Sequence, residues 1–299
     1  MVYKYNSFTE AQITEMKGYF KNADYFYIYI SLIFAFFGFA SRAYRWKYSL
    51  DYLGYKTKFH NNLMSICVCY FMNLTIPRSG EVSRAVFIKK YENVPFDKAF
   101  GTIVAERIVD LIIFLVFVII AFFSQFKILK NYLLEKIPFQ QLAIFTIIAI
   151  VSFIAFVFIW LYSNWKIVKK LKKKFAGLIE GLTSIFLMEK KWYYLLHSLF
   201  IWMCYFLMFY VTVFALQETS NITISTALIG FVIGSLAIGF TNSGFGVFPL
   251  LIAEIFLLYG ISDTAGTAFG WLVWISQTVL TVFLGTLSFL LFPILNRIK

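Results

Sequence analysis

The chain has 299 residues, 61% of them hydrophobic and only 14% charged, with a net charge of +12. Soluble domains are nearer half apolar and a quarter charged, so a water-soluble globule is excluded, and apolar runs that are continuous rather than alternating exclude a membrane barrel. Nucleic acid is excluded as a partner because no basic soluble domain exists to carry it; lysines and arginines gathered in loops beside anionic lipid head groups account for the charge.

Residues 1–24 are polar and of mixed charge, with no cleavable signal peptide. Within them Thr9-Glu-Ala-Gln12 reads as a capping box that opens a short amphipathic helix. The first apolar run, 25–41, stops at Arg42, Arg45 and Lys47, which with Lys56 and Lys58 form a basic loop on the cytoplasmic side. Arg42 and Arg45 are read there as snorkelling residues of a helix end. The next run, 61–76, is short and basic on both flanks, the far one carrying Arg78, Arg84, Lys89, Lys90 and Lys98. A segment that enters and leaves on the same side satisfies both flanks, provided protein or a water-filled cavity covers its broken backbone. Residues 99–123 span, and 124–138 form a mildly basic loop. Residues 139–162 span again and end at Trp160, Tyr162 and Trp165, before six lysines between Lys166 and Lys174. Those lysines put 163–191, an amphipathic surface segment, on the cytoplasmic side.

In the second part, residues 192–216 span, and 217–223 lack Lys and Arg, as suits the outer face. Residues 224–240 return inward to Thr241-Asn-Ser-Gly-Phe-Gly-Val-Phe-Pro249. A short apolar piece, 250–261, and a long run, 265–292, lead to Arg297 and Lys299 inside. The expected fold is therefore all-α. It is a polytopic membrane helical bundle with two re-entrant or broken helical segments arranged as a pseudo-repeat. An N-terminal segment, 1–24, precedes one domain, 25–299, whose halves (25–162 and 192–299) are joined by 163–191.

Thr75-Ile-Pro-Arg-Ser-Gly80 and Thr241-Asn-Ser-Gly244 each end a short apolar run with Ser-Gly and then resume as helix. Paired Gly/Pro-interrupted segments in corresponding halves point to a transporter binding site, because broken helices free backbone groups and present oriented N–H dipoles to anions. The plainer alternative is that such residues merely kink membrane helices. Arg78, Glu81 and Arg84 follow the first break, and Glu106, Arg107 and Asp110 lie inside the next span. A charge at mid-bilayer costs roughly 2.5–3.5 kcal/mol on insertion scales, so these groups must face the interior in pairs. Three uses stay open: a structural ion network with Arg78 or Arg84 answering Glu106 or Asp110, binding of a lipid head group, and acid/base catalysis. Cys67, Cys69 and Cys204 are expected to be small core residues, and His60 and His197 interfacial ones, with no metal site. No GxxxxGK[ST], HExxH or GxSxG motif is present.

Asn73-Leu-Thr-Ile-Pro-Arg-Ser-Gly-Glu81, then Arg84, then Ala105-Glu-Arg-Ile-Val-Asp110, resembles the first half of the lysylphosphatidylglycerol synthase transmembrane-region family. Gly244-Phe-Gly-Val247 and the turn at Tyr259-Gly260 resemble its second half. The resemblance implies a flippase-like bundle, and carries over Pro77, Arg78, Gly80, Glu81, Arg84, Glu106, Arg107, Asp110, Gly244 and Gly246. Asn242 and Ser243 stand where the family often has a proline, Phe248-Pro249 where it has an acid, and Glu254 lies one turn further on. Together with Asn242 and Ser243, the carried-over residues form the expected lipid-head-group site. The soluble aminoacylating domain of the full synthases is absent, and a spanning helix that usually precedes the first run is not seen, so the start reads as shortened. The expectation is a transporter moving a phospholipid or polyprenyl-type lipid with a charged head group between leaflets of a bacterial-type plasma membrane. Its C-terminus is expected in the cytoplasm, and it would use no catalytic residue and no cofactor. Membrane lipids are the expected partners; a second copy of the chain and a lipid-synthesising enzyme are the open protein partners. The alternatives are a membrane-embedded lipid-head transferase using Glu106 or Asp110, and a non-transporting partner of a lipid- or glycolipid-modifying enzyme.

Overall fold

The computed structural model describes residues 8–126 and 187–296. The expected loop 124–138 (beyond 126), the span 139–162 with its aromatic girdle and the lysine run lie outside those residues, as does 163–186 of the amphipathic segment.

Helix α1 (Glu10–Asn22) opens with the expected capping box: Gln12 N donates to Thr9 Oγ1 at 3.3 Å and Thr9 N to Gln12 Oε1 at 2.9 Å. Asp24 then caps α2 (Tyr25–Tyr52) by accepting from Phe26 N at 3.0 Å. The apolar run predicted an end near residue 41, but α2 continues for three more turns. Trp46 and Leu50 on that extension are fully buried, and their burial holds the helix where the apolar pattern is interrupted by arginines. Next comes a hairpin of α3 (Phe59–Thr75) and α4 (Ser79–Glu92), joined by Ile76-Pro77-Arg78, and then α5 (Phe96–Ser124). The second part repeats this order. Helix α6 (Lys191–Thr212), extended by a 3₁₀ turn (Val213–Ala215), is followed by a hairpin of α7 (Ile224–Phe240) and α8 (Val247–Leu257), and then by α9 (Asp263–Leu295).

The two parts are arranged as an inverted pseudo-repeat. Exchanging α2 with α6, α3 with α7, α4 with α8 and α5 with α9 reproduces the main packing partners: α2 packs along α6, α3 on α9 as α7 on α5, and α4 on α5 as α8 on α9. Helices α2 and α6 run antiparallel. Asp24 N donates to Ala215 O at 2.8 Å at one end of the bundle, and Lys190 Nζ lies over the Tyr48 ring at the other. The hairpins consequently enter from opposite ends. Lys58 N bonds Glu92 Oε1 at 3.0 Å and Asn61 bonds Asn296 at the base of the first, while Gln125 Nε2 bonds Ser225 Oγ at 2.7 Å at the base of the second.

Length separates the elements into two kinds. Three helices, Tyr25–Tyr52, Lys191–Ala215 and Asp263–Leu295, are long and apolar enough to cross a membrane. Helix α5, of 29 residues, runs beside them and exposes Leu111, Ile112, Leu115, Val116, Ile119 and Ile120. At 1.5 Å per residue, the 11 residues of α8 reach about 16 Å, roughly half of a 30 Å hydrocarbon core. Short hairpins among long helices are thus the tertiary form of the two sequence breaks.

Helix α8 sits unusually close to α9. Gly266 and Gly270 lie one turn apart, and a Cβ on them would stand 2.8 Å from Ala253 Cα and 2.5 Å from Pro249 Cα. Small residues at four-residue spacing let membrane helices approach backbone to backbone, where dispersion replaces the missing hydrophobic drive. Pro249 falls in the first turn of α8, where its missing N–H costs no helical bond. Gly270→Val is expected to force α8 off α9 and lower stability by about 1–3 kcal/mol, the usual range for overpacking. Gly239→Ala, with open space around its Cβ position, is expected to be neutral; thermal unfolding of the two purified variants checks the contrast.

Candidate functional site

Three helices bring seven charged side chains together in the half of the bundle entered by the first hairpin. Helix α5 carries Glu106, Arg107 and Asp110, α4 carries Glu81 and Arg84, and α2 carries Arg42 and Arg45; α6 adds the hydroxyl of Ser198. Glu106 is ten residues, or about 15 Å of helix, from the start of α5. Five of the seven side chains are buried, so opposite charges among them must meet directly.

They do so with little slack. Arg84 forks onto Glu106, with Nη1 to Oε2 at 2.8 Å and Nη2 to Oε1 at 3.1 Å, and its guanidinium lies 3.7 Å from the centre of the Trp46 ring. Trp46 is itself held by a 2.8 Å bond from Nε1 to Thr102 Oγ1. Arg45 donates to Asp110 Oδ1 at 2.6 Å and Oδ2 at 3.2 Å, to Glu106 Oε2 at 3.4 Å and to Ser198 Oγ at 3.0 Å. Arg42 adds one bond, Nη1 to Asp110 Oδ2 at 2.9 Å. Arg42, Arg45, Arg84, Glu106 and Asp110 are all buried. Arg107 is the open edge of the group: its side chain is 39% exposed, Glu81 answers it at 3.1 Å, and Asp110 Oδ2 lies 3.7 Å away.

Above this network the two hairpin tips touch. Ser243 Oγ donates to Asn73 O at 2.9 Å, and Asn242 Nδ2 reaches Leu74 O at 3.4 Å. Both acceptors belong to the last turn of α3, whose carbonyls have no partner within the helix, so side chains of one hairpin cap the helix of the other. Trp274 Nε1 holds Ser243 O at 2.8 Å. Arg78, Ser243, Gly244 and Gly246 all adopt positive φ at these tips, and for Arg78 and Ser243 that conformation is strained. Asn73 links the tips to the charges. Its Oδ1 accepts from Gly80 N at 2.8 Å, and its Nδ2 lies 3.4 Å from Glu81 Oε2. Gly80 is required there, since a Cβ would overlap the Cys69 carbonyl and the Asn73 side chain.

The sequence expectations can be placed one by one. Glu81, Arg84, Glu106, Arg107 and Asp110 come together as an ion network, with Arg84 rather than Arg78 answering Glu106. Arg78 is exposed at the tip and pairs with no carboxylate among the described residues. Pro77 and Asn242 are exposed at the tips, and Ser243, Gly244 and Gly246 build the second tip. Glu254 lies on the exposed face of α8. The reading of Arg42 and Arg45 as snorkelling residues is corrected: both are buried against Asp110, because α2 continues past them and carries them inside. No local signal marked them, because Arg78, Arg84 and Arg107 already match Glu81, Glu106 and Asp110 in number. Asn73 opened the singled-out stretch without any sign of its contact with Ser243, and Ser198, Tyr70 and Tyr205 carried no signal. Cys67, Cys69 and Cys204 are free and buried, as expected of core residues. His60 is exposed, and His197 is partly buried, bonded to Ser41 Oγ at 2.8 Å and stacked on Tyr44. Among the described residues no three His, Cys, Asp or Glu side chains could hold a metal ion.

Removing one member of a buried pair leaves the other charge unanswered, at about 3–5 kcal/mol. Arg84→Met is expected to destabilise by that amount and Arg84→Met with Glu106→Leu by clearly less, whereas Arg78→Gln is expected to stay within about 0.5 kcal/mol. Unfolding midpoints of the three purified variants test the pairing.

Comparison with known proteins bears on the family of the chain. A UPF0104 membrane protein of Methanocaldococcus jannaschii is 36% identical over 98 residues, which is 30% of this chain and 29% of the length of that relative. No solved structure matches. Residues 3–285, nearly the whole chain, match the family described as Lysylphosphatidylglycerol synthase TM region, and the chain is a member of that family of membrane proteins.

Proposed function

We propose that the protein is a lipid flippase-like transporter, moving a phospholipid or polyprenyl-type lipid with a charged head group between leaflets. The observation that carries this reading is the tip-to-tip meeting of two opposed hairpins directly beside a buried charge network with one open edge. In the bilayer both hairpins would be re-entrant, one from each side, and the strained tips would be the closure between two half-channels. Arg107 and Arg78 would meet the head group while the tails stay in lipid beside α5 and α9. The basic connectors 53–58 and 89–98 and the C-terminus would face the cytoplasm of a plasma membrane. Membrane lipids are the partners this reading requires.

The geometry favours transport over head-group transfer. Glu106 and Asp110 are each held by at least two arginines, which leaves neither carboxylate a basic lone pair aimed at open space for proton transfer. No catalysis is therefore assigned to this chain.

Liposomes containing the purified protein and a fluorescent phospholipid are expected to lose more signal to a membrane-impermeant quencher than protein-free liposomes. Joining the tips through Leu74→Cys and Asn242→Cys with a short bifunctional thiol reagent is expected to stop the exchange, and a cleavable reagent to restore it on reduction. Exchange at the protein-free rate for every lipid class tried would sink the transport reading.

A further inference from the structure

We propose that Arg42 and Arg107, with the paired hydroxyls of Tyr70 and Tyr205, form a subsite for a singly charged phosphodiester. The proposal rests on the transport reading and states which groups receive the cargo and what charge they accept. Three guanidiniums converge on one atom, Asp110 Oδ2: Arg42 at 2.9 Å, Arg45 at 3.2 Å and Arg107 at 3.7 Å. A carboxylate oxygen offers two lone pairs, so this oxygen cannot serve all three. The whole group is unbalanced in the same sense. Among the described residues four arginines (Arg42, Arg45, Arg84, Arg107) face three carboxylates (Glu81, Glu106, Asp110), which leaves one positive charge in excess. An unmatched charge in a low-dielectric interior draws in a counter-ion.

Geometry says which arginines it would meet. Arg84 is occupied by Glu106 and by Trp46, and Arg45 by four acceptor contacts. All four have a buried Nε without a partner, so the difference lies at the Nη atoms, where Arg42 makes a single hydrogen bond through Nη1. Arg107 alone of the four has a largely open side chain. Beside Arg42, whose guanidinium carbon lies 5.9 Å from the Tyr205 ring centre, the Tyr70 and Tyr205 hydroxyls are 2.6 Å apart. That bond uses one of the two hydroxyl hydrogens, and the other has no acceptor among the described residues. Two underused guanidiniums and one spare O–H donor suit the two non-bridging oxygens of a phosphodiester, whose single negative charge equals the excess.

The test uses the full chain in uncharged detergent, with phosphatidylglycerol, diacylglycerol and dimethyl phosphate as probes and the unfolding midpoint as readout. Phosphatidylglycerol is expected to raise the midpoint and diacylglycerol to leave it unchanged. Stabilisation by phosphatidylglycerol alone identifies a lipid as the source; equal stabilisation by dimethyl phosphate identifies the phosphodiester group itself as sufficient. Arg42→Gln removes the excess charge while Arg45 keeps Asp110 paired. This variant is expected to fold with an unliganded midpoint at or above that of the parent and to bind phosphatidylglycerol at least about tenfold more weakly. Tyr70→Phe with Tyr205→Phe, which alters no charge, is expected to weaken binding several-fold and serves if Arg42→Gln does not fold. Parent-like affinity in either folded variant, or equal stabilisation by phosphatidylglycerol and diacylglycerol, overturns the subsite. Binding that depends on Arg42 without leaflet exchange would instead remove the transport reading and leave the subsite standing.

Discussion

Burying arginine is the constraint on which the rest of this structure depends. A guanidinium keeps its proton at any accessible pH, so three of them placed inside an apolar bundle must find carboxylates or polar oxygens within reach. Arg42, Arg45 and Arg84 find Asp110, Glu106 and Ser198. Together the bonds tie three pairs of helices: α4 to α5 through Arg84, α2 to α5 through Arg42 and Arg45, and α2 to α6 through Ser198. The rotation of α2 about its axis is thereby set by electrostatics where its apolar pattern is weakest. On insertion scales the same charges are among the most costly a membrane segment can carry. Arg107 and Glu81 stay partly open at the edge of that network.

The hairpins supply the second constraint. Neither is long enough to cross a bilayer comfortably, and each must satisfy the carbonyls at the end of its inward helix. The inverted repeat solves this by facing one tip with the other, so that Ser243 and Asn242 cap α3. Asn73 then couples the junction to Glu81 and, through it, to Arg107. Any separation of the tips removes the donors Ser243 Oγ and Asn242 Nδ2 from the carbonyls at the C-terminal end of α3, next to the residue that contacts Glu81. The junction and the charged edge are in this sense one device, built from adjacent residues of the stretch Asn73–Arg84.

Packing keeps the device narrow. Helix α8 rests on α9 through Gly266 and Gly270, and α3 rests on the same helix nearer its other end. The 33-residue α9 is long enough, at about 50 Å, to serve both hairpins. Among the described residues, large apolar side chains face outward on α2 and α9, with Tyr29, Phe37, Val279, Phe283 and Leu290 all exposed, as lipid contact demands.

The sequence by itself determined the all-helical membrane class, the positions of both breaks, and the need for arginines after the first break to answer carboxylates in the next span; that Arg84 rather than Arg78 takes Glu106 was decided by packing. The first three follow from local rules: run length against bilayer thickness, Ser-Gly and Pro punctuation, and the need of an intramembrane charge for an opposite one. It could not show that Arg42 and Arg45 belong to the site, because the apolar run ends just before them, and only tertiary burial of Trp46 and Leu50 carries the helix onward. Nor could it show that the tips cap each other, since a contact between residues 73 and 243 arises from the inverted packing of two halves and leaves no local pattern. Which side chains converge on Asp110 is likewise decided only when the helices are packed.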